Sequence, residues 1–179
     1  YLCGSPITEI FFKYQEQLLQ TESLKKLKIK PKEYFLASFH RQENVDNEEN
    51  LKKILLSLNA ISEEYSKEII ISTHPRTKER LDSLTEIKIN KRVKFLKPFG
   101  FFDYLNLQIN AKAVISDSGS ISEEAAILNF PAITIRNSME RPEAMDSGSI
   151  ILAGHEKKVI LKSLELTLDQ FKTDTGNSI

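Results

Sequence analysis

From residue 34 onward the chain alternates short apolar runs with longer amphipathic stretches, and this alternation constrains its fold more than any other feature. Runs at 34–39, 68–73, 92–96, 112–115 and 131–135, with a shorter one at 149–152, have the length and branched-residue content of buried strands. The stretches 47–65, 77–83, 101–109 and 120–128 carry helical spacing, and 156–171 predicts a final helix. Strands this apolar need cover on both faces, which helices returning between parallel strands supply through right-handed crossovers. The pattern predicts one doubly wound α/β domain built on a parallel sheet. Ahead of it, Ser5-Pro6 and then Ile7, Ile10, Phe11, Tyr14 and Leu18 predict a helix to residue 20. The lysine-rich patch 25–32 reads as a solvated connector.

A chain of 179 residues can bury a core of its own as one domain. The 25 basic residues balance the 25 acidic ones, so neither nucleic acid nor an anionic membrane is expected as a partner. The single cysteine, Cys3, excludes an intrachain disulfide and fits a reducing compartment. No apolar run approaches the roughly 20 residues needed to span a bilayer, and no signal peptide is read at the start. The expectation is a soluble, cytoplasmic protein.

In an open parallel sheet, ligands bind beyond the carboxyl ends of the strands, where the crossover direction reverses. The segments following the five longer predicted strands are therefore the candidates. They are His40-Arg41-Gln42-Glu43-Asn44, His74-Pro75-Arg76-Thr77, Pro98-Phe99-Gly100-Phe101-Phe102, Asp117-Ser118-Gly119-Ser120, and the stretch from Arg136 through Glu140, Arg141 and Glu143. Two of the three histidines and several arginines fall on this one edge.

The segment from Ser116 to Glu124 is the most informative of these. It follows Ala113, Val114 and Ile115 and opens a helix-compatible stretch. Free N–H groups at a helix start, with the positive end of the helix dipole, suit a phosphate. The hydroxyls of Ser118 and Ser120 add donors, and Gly119 lets the backbone approach a ligand. Glu124, one turn into the helix, suits the hydroxyls of a sugar, so the combination points to a nucleotide. The same residues also fit an ordinary helix with a Ser or Asp N-cap. The clustering of the other candidates on the same edge favours the phosphate site.

The remaining candidates each carry two readings. His40 and Arg41 suit a diphosphate, as a switchable donor and a fixed cation; alternatively His40 caps its loop and Arg41 pairs with Glu43. His74 either donates to an anion or shapes its turn. Phe99, Phe101 and Phe102 stack on a base or belong to the core, and one of them is expected to touch ligand. Arg136 is a further binding candidate. Glu140, Arg141 and Glu143 either order a loop under the ligand or form a surface ion network. His155, at a predicted helix start, is expected to be exposed. Neither Gly-x-Gly-x-x-Gly nor a P-loop is present, no metal-ligand spacing stands out, and Asp117-Ser118-Gly119 is not a nucleophile elbow.

His40-Arg41-Gln42-Glu43-Asn44, Asp117-Ser118-Gly119-Ser120-Ile121-Ser122-Glu123-Glu124 and Glu140-Arg141-Pro142-Glu143 occur in that order, with Gly4-Ser5-Pro6 ahead of them. Together they resemble the non-hydrolysing UDP-N-acetylglucosamine 2-epimerase family, from residue 1 to about 154. The resemblance implies a Rossmann-like domain, one half of a glycosyltransferase-B-like fold that holds a UDP-sugar between two domains. It assigns 1–33 to an interdomain helix and linker and 34–179 to the UDP-binding domain. The amino-terminal catalytic domain, with its proton-transferring carboxylates, is expected to be absent from this sequence, which stops soon after Phe171. The implied reaction is anti elimination of UDP and its re-addition, with neither NAD nor a metal, in a homodimer. Ser118, Gly119 and Ser120 would hold the diphosphate, Glu124 the ribose, and Phe99 would lie near the uracil. His40 and Arg141 would stabilise charge on the departing UDP.

The turn reads Asp-Ser-Gly-Ser, where UDP-N-acetylglucosamine epimerases more often have Asp-Ser-Gly-Gly. This leans toward relatives acting on modified sugars, such as those forming UDP-N-acetyl-L-fucosamine for capsule and O-antigen. The rivals are a glycosyltransferase of the same architecture and an orphan UDP-binding half.

Overall fold

The computed structural model describes residues 6–84, 86–137 and 150–176. Its helices are α1 (Pro6–Lys13), α2 (Gln15–Leu19), α3 (Ser23–Leu27), α4 (Gln42–Val45), α5 (Glu48–Glu64), α6 (Pro75–Ser83), α7 (Phe101–Asn110), α8 (Ile121–Leu128) and α9 (Lys157–Gly176). The strands are β1 (Tyr34–Ser38), β2 (Glu68–Ser72), β3 (Val93–Leu96), β4 (Val114–Ser116), β5 (Ala132–Thr134) and β6 (Ile151–Leu152). They form one sheet in the order β3-β2-β1-β4-β5-β6, with every neighbouring pair parallel. This is the doubly wound, Rossmann-like arrangement that the alternation predicts.

The strand residues explain why both faces are covered. Phe35 and Ala37 point into one core and Tyr34 and Leu36 into the other, all fully buried. Ile69 and Ile71 share the first core, and Ile70 lies in the second. On the first face, α5 contributes Leu51, Ile54, Leu55, Leu58 and Ile61, and α9 contributes Ile160, Leu164 and Leu168. On the second, α7 and α8 contribute Leu107, Ile121 and Ala125. Burying a side chain of this size contributes about 1.5–3 kcal/mol, against about 0.2–1 kcal/mol for an exposed ion pair such as Lys52–Glu48. The two cores therefore decide the fold, and the surface charges decorate it. No described helix is long and apolar enough to cross a membrane.

Three local expectations are revised. The first predicted helix is divided at Tyr14, whose ring packs against Phe102 at 5.6 Å between centroids. Within the lysine-rich patch the lysine side chains 25, 26, 28 and 30 are exposed, as expected, but the segment is not a plain connector. Residues Ser23–Leu27 form α3, because Leu24, Leu27 and Ile29 pack on the second core and the buried Ser23 hydroxyl donates to Asn106 at 3.0 Å. Lys32 then crosses the end of α7, its ammonium donating to the carbonyls of Ile109 and Ala111, where a cation meets the negative end of the helix. Finally, the helix predicted from residue 77 begins at Pro75, whose ring suits the first helical position, and after β1 the residues Gln42–Val45 form the short helix α4.

Candidate functional site

The first three strands progress outward from β1, and the next three start again on its other side. The reversal falls between β1 and β4, so their carboxyl ends open the crevice in which a sheet of this kind binds ligands. The loop after β1 brings His40 and Arg41 there, and the loop after β4 brings residues 117–120.

Asp117 joins the two loops. It is fully buried, and its Oδ2 accepts hydrogen bonds from the backbone N–H of His40, the backbone N–H of Arg41 and the Asn44 side-chain amide, each at 2.9 Å. The Arg41 side chain returns the contact, its Nε donating to the Asp117 carbonyl at 2.8 Å. His40 Nδ1 lies 3.3 Å from Asp117 Oδ1 but is poorly aligned, and Oδ1 has no hydrogen-bond partner among the described residues. Helix α4 explains Asn44: its N-cap, Arg41, is extended, and the Arg41 carbonyl accepts from the N–H groups of Asn44 and Val45. That turn buries Asn44 completely.

The serine-glycine turn departs from an ordinary cap. Ser120 is the N-cap of α8, yet its side chain makes no capping bond. Its hydroxyl instead donates to Glu124 Oε1 at 2.6 Å, and Ser118 Oγ lies 2.9 Å from Ser120 Oγ. Because Ser120 has one proton and spends it on the carboxylate, Ser118 is the donor in the serine pair. On the other side of Glu124, Gln108 Nε2 donates to Oε2 at 2.6 Å. A Cβ built on Gly119 would stand 3.4 Å from a terminal nitrogen of Arg41, which locates the guanidinium against the turn. Cation, helix start and carboxylate thus meet at the switch point. The alternative pairing of Arg41 with Glu43 is present only at 3.9 Å.

The other candidates are distributed less evenly. His74 caps α6, its Nδ1 accepting from the Arg76 N–H at 3.2 Å, so it does shape its turn. Its ring also lies 5.6 Å from that of His40, and with Nδ1 accepting, the proton of the neutral ring sits on Nε2. Phe99 is partly buried against the second core. Phe101 is 53% exposed and packs on Phe102, beside Tyr14 and Ile10 of the first helical segment. Arg136 is buried just past β5. Glu140, Arg141 and Glu143 lie outside the described residues. His155 is corrected outright: it is buried, not exposed, with Nε2 2.5 Å from Asn44 Oδ1.

The sequence profile of the UDP-N-acetylglucosamine 2-epimerase family matches residues 1–178. The chain belongs to that family. It is 43% identical over 151 residues to the UDP-N-acetylglucosamine 2-epimerase of Methanocaldococcus jannaschii, covering 81% of this chain and 41% of the relative. Among solved structures, UDP-N-acetylglucosamine 2-epimerase from Rickettsia bellii is similar with a TM-score of 0.83 and 41% identity, over 93% of this chain and 44% of that one. The M. jannaschii UDP-GlcNAc 2-epimerase in complex with UDP-GlcNAc and UDP gives a TM-score of 0.83 at 38% identity, over 94% and 48% of the two chains. The chain therefore spans less than half the length of each of these relatives.

Within this epimerase-family chain, four site residues escape a reading of motifs alone: Asn44, Gln108, Asp117 as an anchor, and His155. Asp117 had a partial signal, because an acid two residues beyond the apolar run 113–115 must be hydrogen-bonded if the strand end is buried. Gln108 had none beyond being a polar residue among Leu105, Leu107 and Ile109. Tyr104, one turn ahead of Gln108, is pushed well above the usual phenol range by burial, despite a hydrogen bond with Ser38.

Proposed function

We propose that this chain is the UDP-holding part of a non-hydrolysing UDP-N-acetylglucosamine 2-epimerase, which inverts C2 of a UDP-N-acetylhexosamine. The observation that carries the reading is the meeting of Arg41, the 118–120 turn and Glu124 at the switch point, in a chain 38% identical to an enzyme solved with UDP-GlcNAc and UDP. In this reading the backbone of the Ser118, Gly119 and Ser120 turn holds the diphosphate, both serine hydroxyl protons being engaged within the turn and with Glu124, while Arg41 and Arg136 supply positive charge and His74 a second imidazole beside His40. Glu124 accepts from the ribose hydroxyls, and Phe99 lies near the uracil.

A base takes the C2 proton, the C–H electron pair becomes the C1–C2 double bond, and the C1–O bond breaks so that UDP leaves with its pair. His40 and Arg141 stabilise the charge that grows on the departing diphosphate; donors placed where charge develops act most strongly in the transition state. Reprotonation at C2 from the opposite face and re-addition of UDP at C1 complete the inversion. The proton-transferring carboxylates are assigned to an amino-terminal catalytic domain of the whole enzyme, with 1–33 as the interdomain helix and linker and 34–179 as the UDP-binding domain. The working unit is a homodimer in the cytoplasm, supplying precursors of surface polysaccharide.

In this reading Ser120 has a role apart from the sugar, since its hydroxyl donates to Glu124, and an epimerase of a modified UDP-sugar is the alternative. NMR of the full-length protein with UDP-N-acetylglucosamine in heavy water tests the reading. Deuterium at C2 and a manno-configured product are expected. Bound UDP without exchange would overturn it in favour of a modified-sugar substrate, a glycosyltransferase or an orphan binding half.

A further inference from the structure

Glu124 is held from two sides, and from one of them by a group whose burial would otherwise count against folding. Gln108 is fully buried in α7, and its Oε1 has no hydrogen-bond partner among the described residues. Leaving a buried amide oxygen unpaired is unfavourable, and a leucine would pack there without that cost. The amide that remains does one visible thing: Nε2 donates to Glu124 Oε2 at 2.6 Å. Its orientation is chemically fixed, because a carboxylate only accepts and must face the NH2 end. From the other side, Ser120 spends its only proton on Oε1 at 2.6 Å.

We infer that Gln108 and Ser120 are positioning residues that aim Glu124 at the ribose diol and so set the preference for ribonucleotides over deoxyribonucleotides. The inference rests on the proposed uridine-nucleotide site. A carboxylate offers about four acceptor positions, two on each oxygen. One on each oxygen is filled by the protein, which stops the group rotating. One on each oxygen is left, and two adjacent acceptors match two vicinal hydroxyls. A nucleotide lacking the 2′-hydroxyl leaves one of them unpaired, and a site built to bond a hydroxyl rejects the analogue without it. Serine at position 120 thereby has a task that glycine cannot perform.

Calorimetric titration of the full-length protein with UDP and with 2′-deoxy-UDP tests this. Wild type is expected to prefer UDP, and Glu124→Ala to abolish the preference. Gln108→Leu, which keeps the volume and removes the amide, is expected to narrow the UDP to 2′-deoxy-UDP ratio by about tenfold. Ser120→Gly is expected to narrow it as well, and it carries the test alone if Gln108→Leu does not fold. Equal loss of both nucleotides in these two variants, or no loss, would overturn the positioning role while leaving the ribose contact standing. A preference that survives Glu124→Ala, or is missing in wild type, would overturn the ribose contact and the inference together.

Discussion

His155 Nε2 lies 2.5 Å from Asn44 Oδ1, which ties the turn between β6 and α9 to helix α4 after the first strand. The direction of every bond in that tie follows from Asp117. A carboxylate accepts only, so the Asn44 NH2 group faces it at 2.9 Å and also reaches the Ile135 carbonyl at 3.3 Å. The amide oxygen is thereby turned toward His155, whose Nε2 must carry the proton. One buried acid thus sets the tautomer of a histidine it does not touch.

Stability should fall on the acid side because of His155. Burial holds its pKa below the ordinary imidazole value of 6.5, outweighing the hydrogen bond with Ile135. The unfolded chain therefore takes up this proton first as pH drops. The contribution is intact above 6.5 and is lost as pH falls from there toward the folded-state value. Urea midpoints measured from about pH 8 to about pH 5 should decline, and His155→Gln should decline less over the same span. Superimposable pH profiles would assign the titration to another group.

Asp117→Ala should be among the most damaging single changes in the chain. It strands two backbone N–H groups and a buried amide that now share one oxygen. Each unsatisfied buried donor costs about 1–3 kcal/mol, so a loss of about 3 kcal/mol or more is expected in urea unfolding. Asp117→Asn keeps one acceptor and should recover part of the loss. A loss below about 1 kcal/mol for the alanine variant would mean that water or a loop shift replaces the carboxylate.

The sheet was legible because its signals are local and repeated. Each strand is an apolar run, each crossover an amphipathic helix, and a parallel sheet follows from their alternation. The strand-to-helix turn at 118–120 was legible because Ser118, Gly119 and Ser120 are contiguous between an apolar run and a helical stretch. Asn44 with His155, and Gln108 with Glu124, were not, because each pair is joined only through the fold: 111 residues separate the first pair and 16 the second. The break at Tyr14 escaped for a related reason. Helical spacing continues through it, and only the ring of Phe102, in a distant helix, shows where that side chain goes.

Gly154 should resist replacement by any residue with a side chain. It is left-handed, with φ of +59°, at the turn that delivers His155. A Cβ there would meet Asn137 Oδ1 at 3.4 Å, an ordinary contact, so backbone strain and not a clash is the main cost. Gly154→Ala should lose about 1–2 kcal/mol by urea unfolding. A neutral result would show that the turn relaxes to a negative φ.

Glu124→Ala and His40→Ala should damage the full-length enzyme in different ways. Glu124 is clamped by Ser120 and Gln108; in the proposed function it contacts the nucleotide in both ground and transition states, so its loss should weaken UDP binding and raise KM. His40 is half exposed, with Nδ1 turned toward Asp117 and its ring beside His74, leaving Nε2 for the diphosphate. In the proposed reaction, charge on that diphosphate grows as the C1–O bond breaks, so the histidine would act mainly in the transition state. Removing such a donor typically lowers kcat by about a hundredfold or more, with KM little changed. Steady-state kinetics on both variants separates the roles. A KM effect confined to His40 would exchange the two assignments, and unchanged kinetics in both would remove the switch-point crevice as the site of reaction.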